Sequence, residues 1–183
     1  MTEGADLLIH HLKNKSRIYI CVDADVDGYT SAALVYNFLN DSYGEDITLN
    51  YHIPEGKEHG LKTLMKELTN EKICDLIILP DSSSNDYNEH KRLKEMGYDI
   101  LVLDHHEADH YSENAIVINN QLSKDYPNKN LSGVGVVYKF FEFFEVYYPH
   151  NKTPISEYID LVALGEISDM MQMMELENRY ICE

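Results

Sequence analysis

The chain has 183 residues, 44% of them hydrophobic and 26% charged, which is enough for one well-cored globular domain. Fifteen Lys and Arg against 32 Asp and Glu give a net charge of −17; two bound divalent ions would add four charges and leave −13, so the basic stripe of a protein that grips long nucleic acids is missing. No apolar run approaches the ~18 residues of a membrane span, the N-terminus lacks a leader pattern, and the three cysteines (Cys21, Cys74, Cys182) are far apart, which excludes a disulfide scaffold and a zinc ribbon and leaves a soluble, cytoplasmic protein with reduced thiols as the expectation.

Residues 1–16 have the apolar spacing of an amphipathic helix ending near Asn14, and Arg17–Val22 is a short β-rich run. Val22 feeds into Asp23, Asp25 and Asp27, then Gly28. Three carboxylates at alternate positions repel one another, and holding them at the end of a buried strand is unfavourable unless cations draw them together. The plainer alternative is a solvated acidic turn, with Asp27 capping the helix that follows. That helix is predicted over Tyr29–Asn40, from apolar residues at Ala32, Ala33, Val35, Tyr36 and Leu39.

A weakly alternating Ile47–Ile53 is the second predicted strand, followed by a polar loop from Pro54 to Gly60 and a helix over Leu61–Glu71. Leu76–Leu79 is a short buried strand ending at Pro80-Asp81. Ser83 and Asp86 form a capping box for a helix running to Met96, which Gly97 stops. Ile100–Leu103 is the fourth strand and ends in Asp104-His105-His106; Ala115–Asn119 is the fifth. An irregular loop over 120–131 leads to Ser132-Gly133 and an aromatic helix through Tyr147. Its stripe of Phe140, Phe141, Phe143 and Phe144 is read as core rather than as a base-stacking platform. A linker over Pro149–Pro154 precedes a final helix, Ile155–Leu164, leading into Gly165-Glu166-Ile167-Ser168-Asp169.

Strands alternating with helices predict an α/β fold, a mostly parallel five-stranded sheet flanked by helices on both faces. In such a sheet, sites form beyond the carboxyl ends of the strands. The loops after Val22, Leu79 and Leu103 would therefore meet at one edge, bringing together Asp23, Asp25, Asp81 and one of the two adjacent histidines. Carboxylates with an imidazole and no thiolate suit Mn²⁺, with Mg²⁺ or Co²⁺ possible, and two ions sharing a carboxylate would make a hydrolytic centre. Taken alone, Asp104-His105-His106 is equally a histidine pair packed at a strand end.

The strings DADVDGYTSAA, GYDILVLDHHE, SGVGVVYKF and ALGEISDMMQMMELENR, with Asp81 between the first two, resemble in order the motifs of the DHH phosphoesterases, most closely the RecJ type of single-strand-specific exonuclease. The resemblance covers roughly residues 17–180. It implies a two-cation site, with Mn²⁺ favoured and Mg²⁺ an alternative. Asp23 and Asp25 would each take one ion, Asp81 would bridge them, and His105 and Asp169 would be further ligands of one of them. His106 would contact the scissile phosphate; Asp27 and Asp104 would orient ligands or cap a helix, with either able to enter the ligand set. Tyr19 stands where other branches carry a histidine, leaving one ion fewer protein ligands. Ser82-Ser83-Ser84 replaces a glycine tendency; its hydroxyls are read as a helix cap, with contact to a phosphate as the alternative. The family joins this core to a smaller substrate-binding domain, and residues 1–183 account for a single core, either a fragment or a stand-alone protein.

Three functions are compatible with these residues. The first is hydrolysis of single-stranded DNA from the 5′ end, with a partner protein or the missing domain supplying grip. The second keeps the site but acts on short oligonucleotides, cyclic dinucleotides or pyrophosphate. The third is a non-catalytic binding or scaffold module. No membrane partner is expected.

Overall fold

The computed structural model describes residues 1–54, 61, 64, 65 and 72–183. Five strands, β1 (Arg17–Cys21), β2 (Thr48–His52), β3 (Leu76–Pro80), β4 (Asp99–Asp104) and β5 (Ile116–Asn119), form one sheet in the order β2-β1-β3-β4-β5. Every neighbouring pair is parallel. The expected fold is thus found. Among the described residues the helices that accompany the sheet with full bounds are α1 (Thr2–Lys13), α2 (Val26–Tyr43), α3 (Tyr87–Glu95), α4 (Gly133–Tyr147), α5 (Ile159–Ser168) and α6 (Leu176–Cys182). The polar loop expected over 55–60 lies outside the described residues. So does most of the helix expected over 61–71, of which Leu61, Leu64 and Met65 are helical.

Alternate strand residues point to opposite faces, and the sheet separates two apolar layers accordingly. Ile18, Ile20, Leu76, Ile78, Leu101 and Leu103 join a large layer with residues of α1, α2, α4 and α5. Ile77, Leu79, Ile100 and Val102 join a smaller one with Leu61, Leu64, Leu93 and Tyr98. Three of the four phenylalanines of the α4 stripe are core, as predicted: Phe140, Phe141 and Phe144 are fully buried, Phe141 packs on Phe38 of α2 with ring centroids 4.6 Å apart, and Phe143 is half-buried at the edge of the same layer. Phe141→Ala is expected to lower stability by about 3–5 kcal/mol in denaturant titration. A loss below about 1 kcal/mol would mean that the ring is not a core element.

Three local expectations are corrected. First, α2 begins at Val26 and is capped by Asp25, whose Oδ1 accepts from the Gly28 amide at 2.8 Å. Asp27 is not its cap. Second, Ser83 caps nothing. It lies in the left-handed region at φ 77°, and α3 starts after Asp86 without a side-chain cap. The Asp86 carboxylate instead accepts from the Leu61 amide at 3.1 Å. Third, the segment from Ile155 begins as a 3₁₀ turn to Tyr158, continues as α5 to Ser168, and is followed by α6, which the apolar spacing did not reveal.

The sheet topology opens a crevice where the chemistry-bearing loops lie. From β1 the chain moves outward to β2 and then returns to the far side of β1 as β3, so the winding direction reverses between β1 and β3. Pairing of β1 with β3 stops at Ile20 and Ile78, while β3 stays paired with β4 as far as Pro80 and Leu103. Pro80 has no amide hydrogen to extend a ladder. Asp81 then turns into the left-handed region at φ 60°, anchored by its amide donating to the Leu103 carbonyl at 2.8 Å.

Candidate metal centre

The loops after β1, β3 and β4 and the end of α5 meet over this crevice. Ligand atoms within 4.8 Å of one another fall into three overlapping groups: Asp23, Asp25 and Asp81; Asp81, His105 and His106; and Asp27, His105 and Asp169. Asp81 and His105 each belong to two groups. All eight residues singled out in the sequence, including Asp104 beneath His106, are therefore near this point. Asp27 is closer to the ligands than a helix-capping role implied.

His105 is oriented by the chain ahead of α4. Its Nδ1 lies 3.0 Å from the Leu131 carbonyl, an acceptor only, so Nδ1 carries the proton and Nε2 offers a lone pair. That Nε2 faces Asp81 Oδ1 at 3.3 Å, Asp169 Oδ2 at 3.7 Å and Asp27 Oδ2 at 3.8 Å. Asp27 is held just as firmly: its two oxygens accept from the Gly133 and Val134 amides at 2.6 and 3.0 Å, at the N-terminus of α4. Burial still pushes its carboxyl above the usual range, against the pull of those two amides.

Asp81 is the most frustrated group of the set. It is 1% exposed and its Oδ1 has no hydrogen-bond partner. Burial, then the neighbouring Asp27 and Asp104, push its carboxyl up to about 10. The cradle is tight, because a Cβ at Gly133 would overlap the Asp81 carboxylate. A buried carboxylate oxygen with no hydrogen-bond partner, facing an imidazole nitrogen and ringed by further carboxylates, is relieved by a hard divalent cation. This donor set therefore fits Mn²⁺ or Mg²⁺.

His106 is held differently from its neighbour. Its Nδ1 donates to Asp104 Oδ1 at 2.8 Å, and half of its side chain is exposed. Asp104 also accepts from the amides of His105, His106 and Ser84. Burial alone would raise Asp104, but the bond and charge of His106 and those donors hold it down to about 2. In return the Asp104 bond raises the imidazole of His106. A cleft of about 250 Å³ lies between Asp23, the Ser82–Asp86 turn, Asp104 and His106. The serine run thus lines the site rather than capping α3: Ser84 Oγ accepts from Asn119 Nδ2 at 2.8 Å, and the same amide group donates to the His106 carbonyl at 2.9 Å.

Sequence reasoning did not single out Asn119, Leu131, Ser132 or Glu166 as working parts. For Glu166 the one local cue is its place three residues before Asp169, on a helix that also carries Asp160, and that cue does not show which residues it bonds. Glu166 is fully buried, and burial pushes it up to about 7 against two bonds from Ser132. Tyr19, in the place of a histidine ligand, packs against the smaller apolar layer.

Residues 17–166 match the DHH family, N-terminal domain. The chain belongs to the DHH family. It is 41% identical over 180 residues to YorK, an SPbeta prophage-derived protein of Bacillus subtilis (strain 168) provisionally named a single-strand DNA-specific exonuclease; the match covers 97% of this chain and 30% of YorK. It is 30% identical over 185 residues to the single-stranded-DNA-specific exonuclease RecJ of the same strain, covering 99% of this chain and 22% of RecJ. Among solved structures, a crystal structure of exonuclease RecJ bound to manganese superposes with a TM-score of 0.82 at 26% identity, covering 98% of this chain and 45% of that one. The chain therefore spans less than a third of the length of these two curated relatives. Within the described residues, no helix is long and apolar enough to cross a membrane.

Proposed function

We propose that this chain is the catalytic core of a divalent-metal-dependent phosphodiesterase that acts on single-stranded DNA from the 5′ end. The observation that carries the reading is the convergence of Asp23, Asp25, Asp81, His105 and Asp169 at the carboxyl edge of a parallel sheet, with Asp81 shared between ligand groups. The similarity to RecJ supports the substrate class. Those five residues would hold two cations, Mn²⁺ before Mg²⁺. Bound divalent ions supply Lewis-acid stabilisation of phosphate charge and make water a usable nucleophile near neutral pH.

The remaining steps belong to the chain's own side chains. With Nδ1 committed to Asp104, His106 has a hydrogen to give at Nε2 only as the imidazolium, and its exposed ring faces the cleft. It donates to a non-bridging oxygen of the scissile phosphate, and Asp104 keeps it charged and correctly turned. Asp27 braces the start of α4, and the Leu131 carbonyl keeps the His105 Nε2 lone pair aimed at the ligand carboxylates.

The charges also favour short reach along a strand. Lys139 pairs with Glu142 and Glu177, and Lys129 donates to the carbonyls of Asn120 and Ser123, so neither is free to hold a phosphate. The isolated chain is therefore expected to bind a long fluorescent single strand at high micromolar or weaker. The salt dependence should correspond to about one to three neutralised phosphates, measured in a variant that cannot cut. Nanomolar binding with a steep salt slope would overturn that expectation.

The function itself is tested by a turnover panel in Mn²⁺: labelled single strands, duplex, cyclic dinucleotides and pyrophosphate. Release of mononucleotides from the 5′ end of the single strand is the expected result. Faster hydrolysis of a cyclic dinucleotide or pyrophosphate would transfer the same site to a small substrate. No turnover together with no Mn²⁺ binding in calorimetry would make this a binding module.

A further inference from the structure

Glu166 is a buried carboxylate that does not belong to the ligand groups of the site. It sits on α5, three residues before Asp169, and reaches across to the chain segment that opens α4. Its Oε1 accepts from the Ser132 amide at 3.0 Å and from the Ser132 hydroxyl at 3.1 Å. Its Oε2 is buried with no hydrogen-bond partner. An apolar side chain in the same space would avoid the desolvation of a carboxylate, so the gain from keeping Glu here has to lie in what Oε1 holds.

What it holds is the segment that orients two groups of the metal centre. Leu131, directly before Ser132, supplies the carbonyl that sets the His105 ring. Gly133 and Val134, directly after it, supply the two amides that fix Asp27. Ser132 Oγ in turn accepts from the Gly135 amide at 3.2 Å, and a Cβ at Gly135 would overlap Glu166 Oε1, so there is no slack in the contact. A Cβ at Gly165 would overlap Val134 and Asp27, which shows the same closeness from the α5 side. The helix α5, which Asp169 directly follows, is thereby tied to the strap that aims His105, and Asp169 Oδ2 lies 3.7 Å from His105 Nε2.

We propose that Glu166 is a positioning residue of this centre: by clamping Ser132 it sets residues 131–134, and through them the His105 tautomer and the placement of Asp27 relative to Asp169. The catalytic part of this proposal rests on the phosphodiesterase reading given above. The clamp itself does not, and it has readouts that need no turnover.

The test compares wild type with Glu166→Ala, which removes the clamp, and Glu166→Gln, which keeps an oxygen acceptor of the same reach. Nitrogen-15 NMR of the ring reports the His105 tautomer, calorimetry reports Mn²⁺ affinity, and steady-state kinetics separate kcat from KM. Wild type should show His105 protonated at Nδ1. Glu166→Ala should lose that single tautomer, bind Mn²⁺ about tenfold to a hundredfold more weakly, and lose kcat by a similar factor with KM within about twofold. Glu166→Gln should recover most of both. If Glu166→Ala does not fold, Ser132→Ala, which removes the hydroxyl bond to Glu166 and the cap on the Gly135 amide but keeps the Ser132 amide bond, is carried through the same measurements. It should show a smaller shift in the same direction. A folded Glu166→Ala (or Ser132→Ala in its place) with the wild-type tautomer and Mn²⁺ affinity would reduce Glu166 to a packing residue and overturn the proposal. Equal loss in Gln and Ala variants would also overturn it, since charge rather than the clamp would then matter. Absence of turnover in wild type, with the tautomer and affinity shifts intact, would remove the phosphodiesterase reading and leave the clamp standing.

Discussion

Asp81→Asn should lower Mn²⁺-dependent hydrolysis by about a thousandfold, the upper end for removing one preorganised electrostatic group, and yet raise the melting temperature of the metal-free chain at neutral pH. Both effects come from the same geometry. The carboxylate is shared between two candidate ligand groups, so its loss would disturb both ions of the proposed pair. Without ions it is a liability, because burial and the nearby Asp27 and Asp104 raise its pKa to about 10. The sign follows from linkage. In the unfolded chain the group loses its proton near pH 4, whereas the folded, metal-free site keeps it, so the unfavourable contribution is absent below pH 4 and grows as pH rises towards 10. Thermal melts at pH 5, 7 and 9 should therefore show wild type losing ground to Asp81→Asn as pH increases. Asn tolerates the left-handed backbone at φ 60° nearly as well as Asp, so the comparison isolates the charge. Mn²⁺ uptake by wild type at pH 7 should release a proton that the variant does not, seen by calorimetry in buffers of different ionisation enthalpy. Full activity in Asp81→Asn would refute the bridging assignment.

The two histidines should separate cleanly. His105 directs a lone pair at the ligand carboxylates, so His105→Ala is expected to weaken Mn²⁺ binding by about tenfold to a hundredfold. His106 is tied to Asp104 and faces the cleft, so His106→Ala should keep Mn²⁺ affinity within about threefold while kcat falls by about a hundredfold. A pH profile adds a signature. The bond to Asp104 raises the imidazole of His106 above its ordinary pKa, and only the imidazolium can donate from Nε2. Turnover should thus decline on the alkaline side of that raised pKa, and His106→Ala should lack this limb. Equal loss of metal in both variants would show that the roles are misassigned.

Much of the site was legible because one rule converts sequence into space: a parallel sheet puts all its carboxyl ends on one edge, and Asp23, Asp81 and His105 each follow a strand. Asp27 was harder. An aspartate two residues after another at a helix start looks like a cap, and Asp25 does fill that role. That Asp27 instead caps a helix beginning at Gly133 depends on how α2 and α4 cross, which no local pattern encodes. The serine run misled for a similar reason. Ser83 and Asp86 have capping-box spacing, but a left-handed residue at Ser83 turns the backbone so that Ser84 meets Asp104 and Asn119. Glu166 was hidden by its neighbours, since its bonds run to Ser132, 34 positions earlier.

The hydrogen bond from the Gly133 amide to Asp27 joins residues 106 positions apart, and every strand pairing in the sheet is likewise non-local. Closing such loops costs chain entropy before any contact offsets it, so folding is expected to be slow for the chain's size, with the ligand set assembled late. The amides of Gly133 and Val134 should then exchange with solvent deuterium only when the whole molecule opens, at the rate of the slowest strand amides. An ion added to refolding protein would find no partial site to trap, and its uptake would time the final docking of α4 and α5 against the sheet.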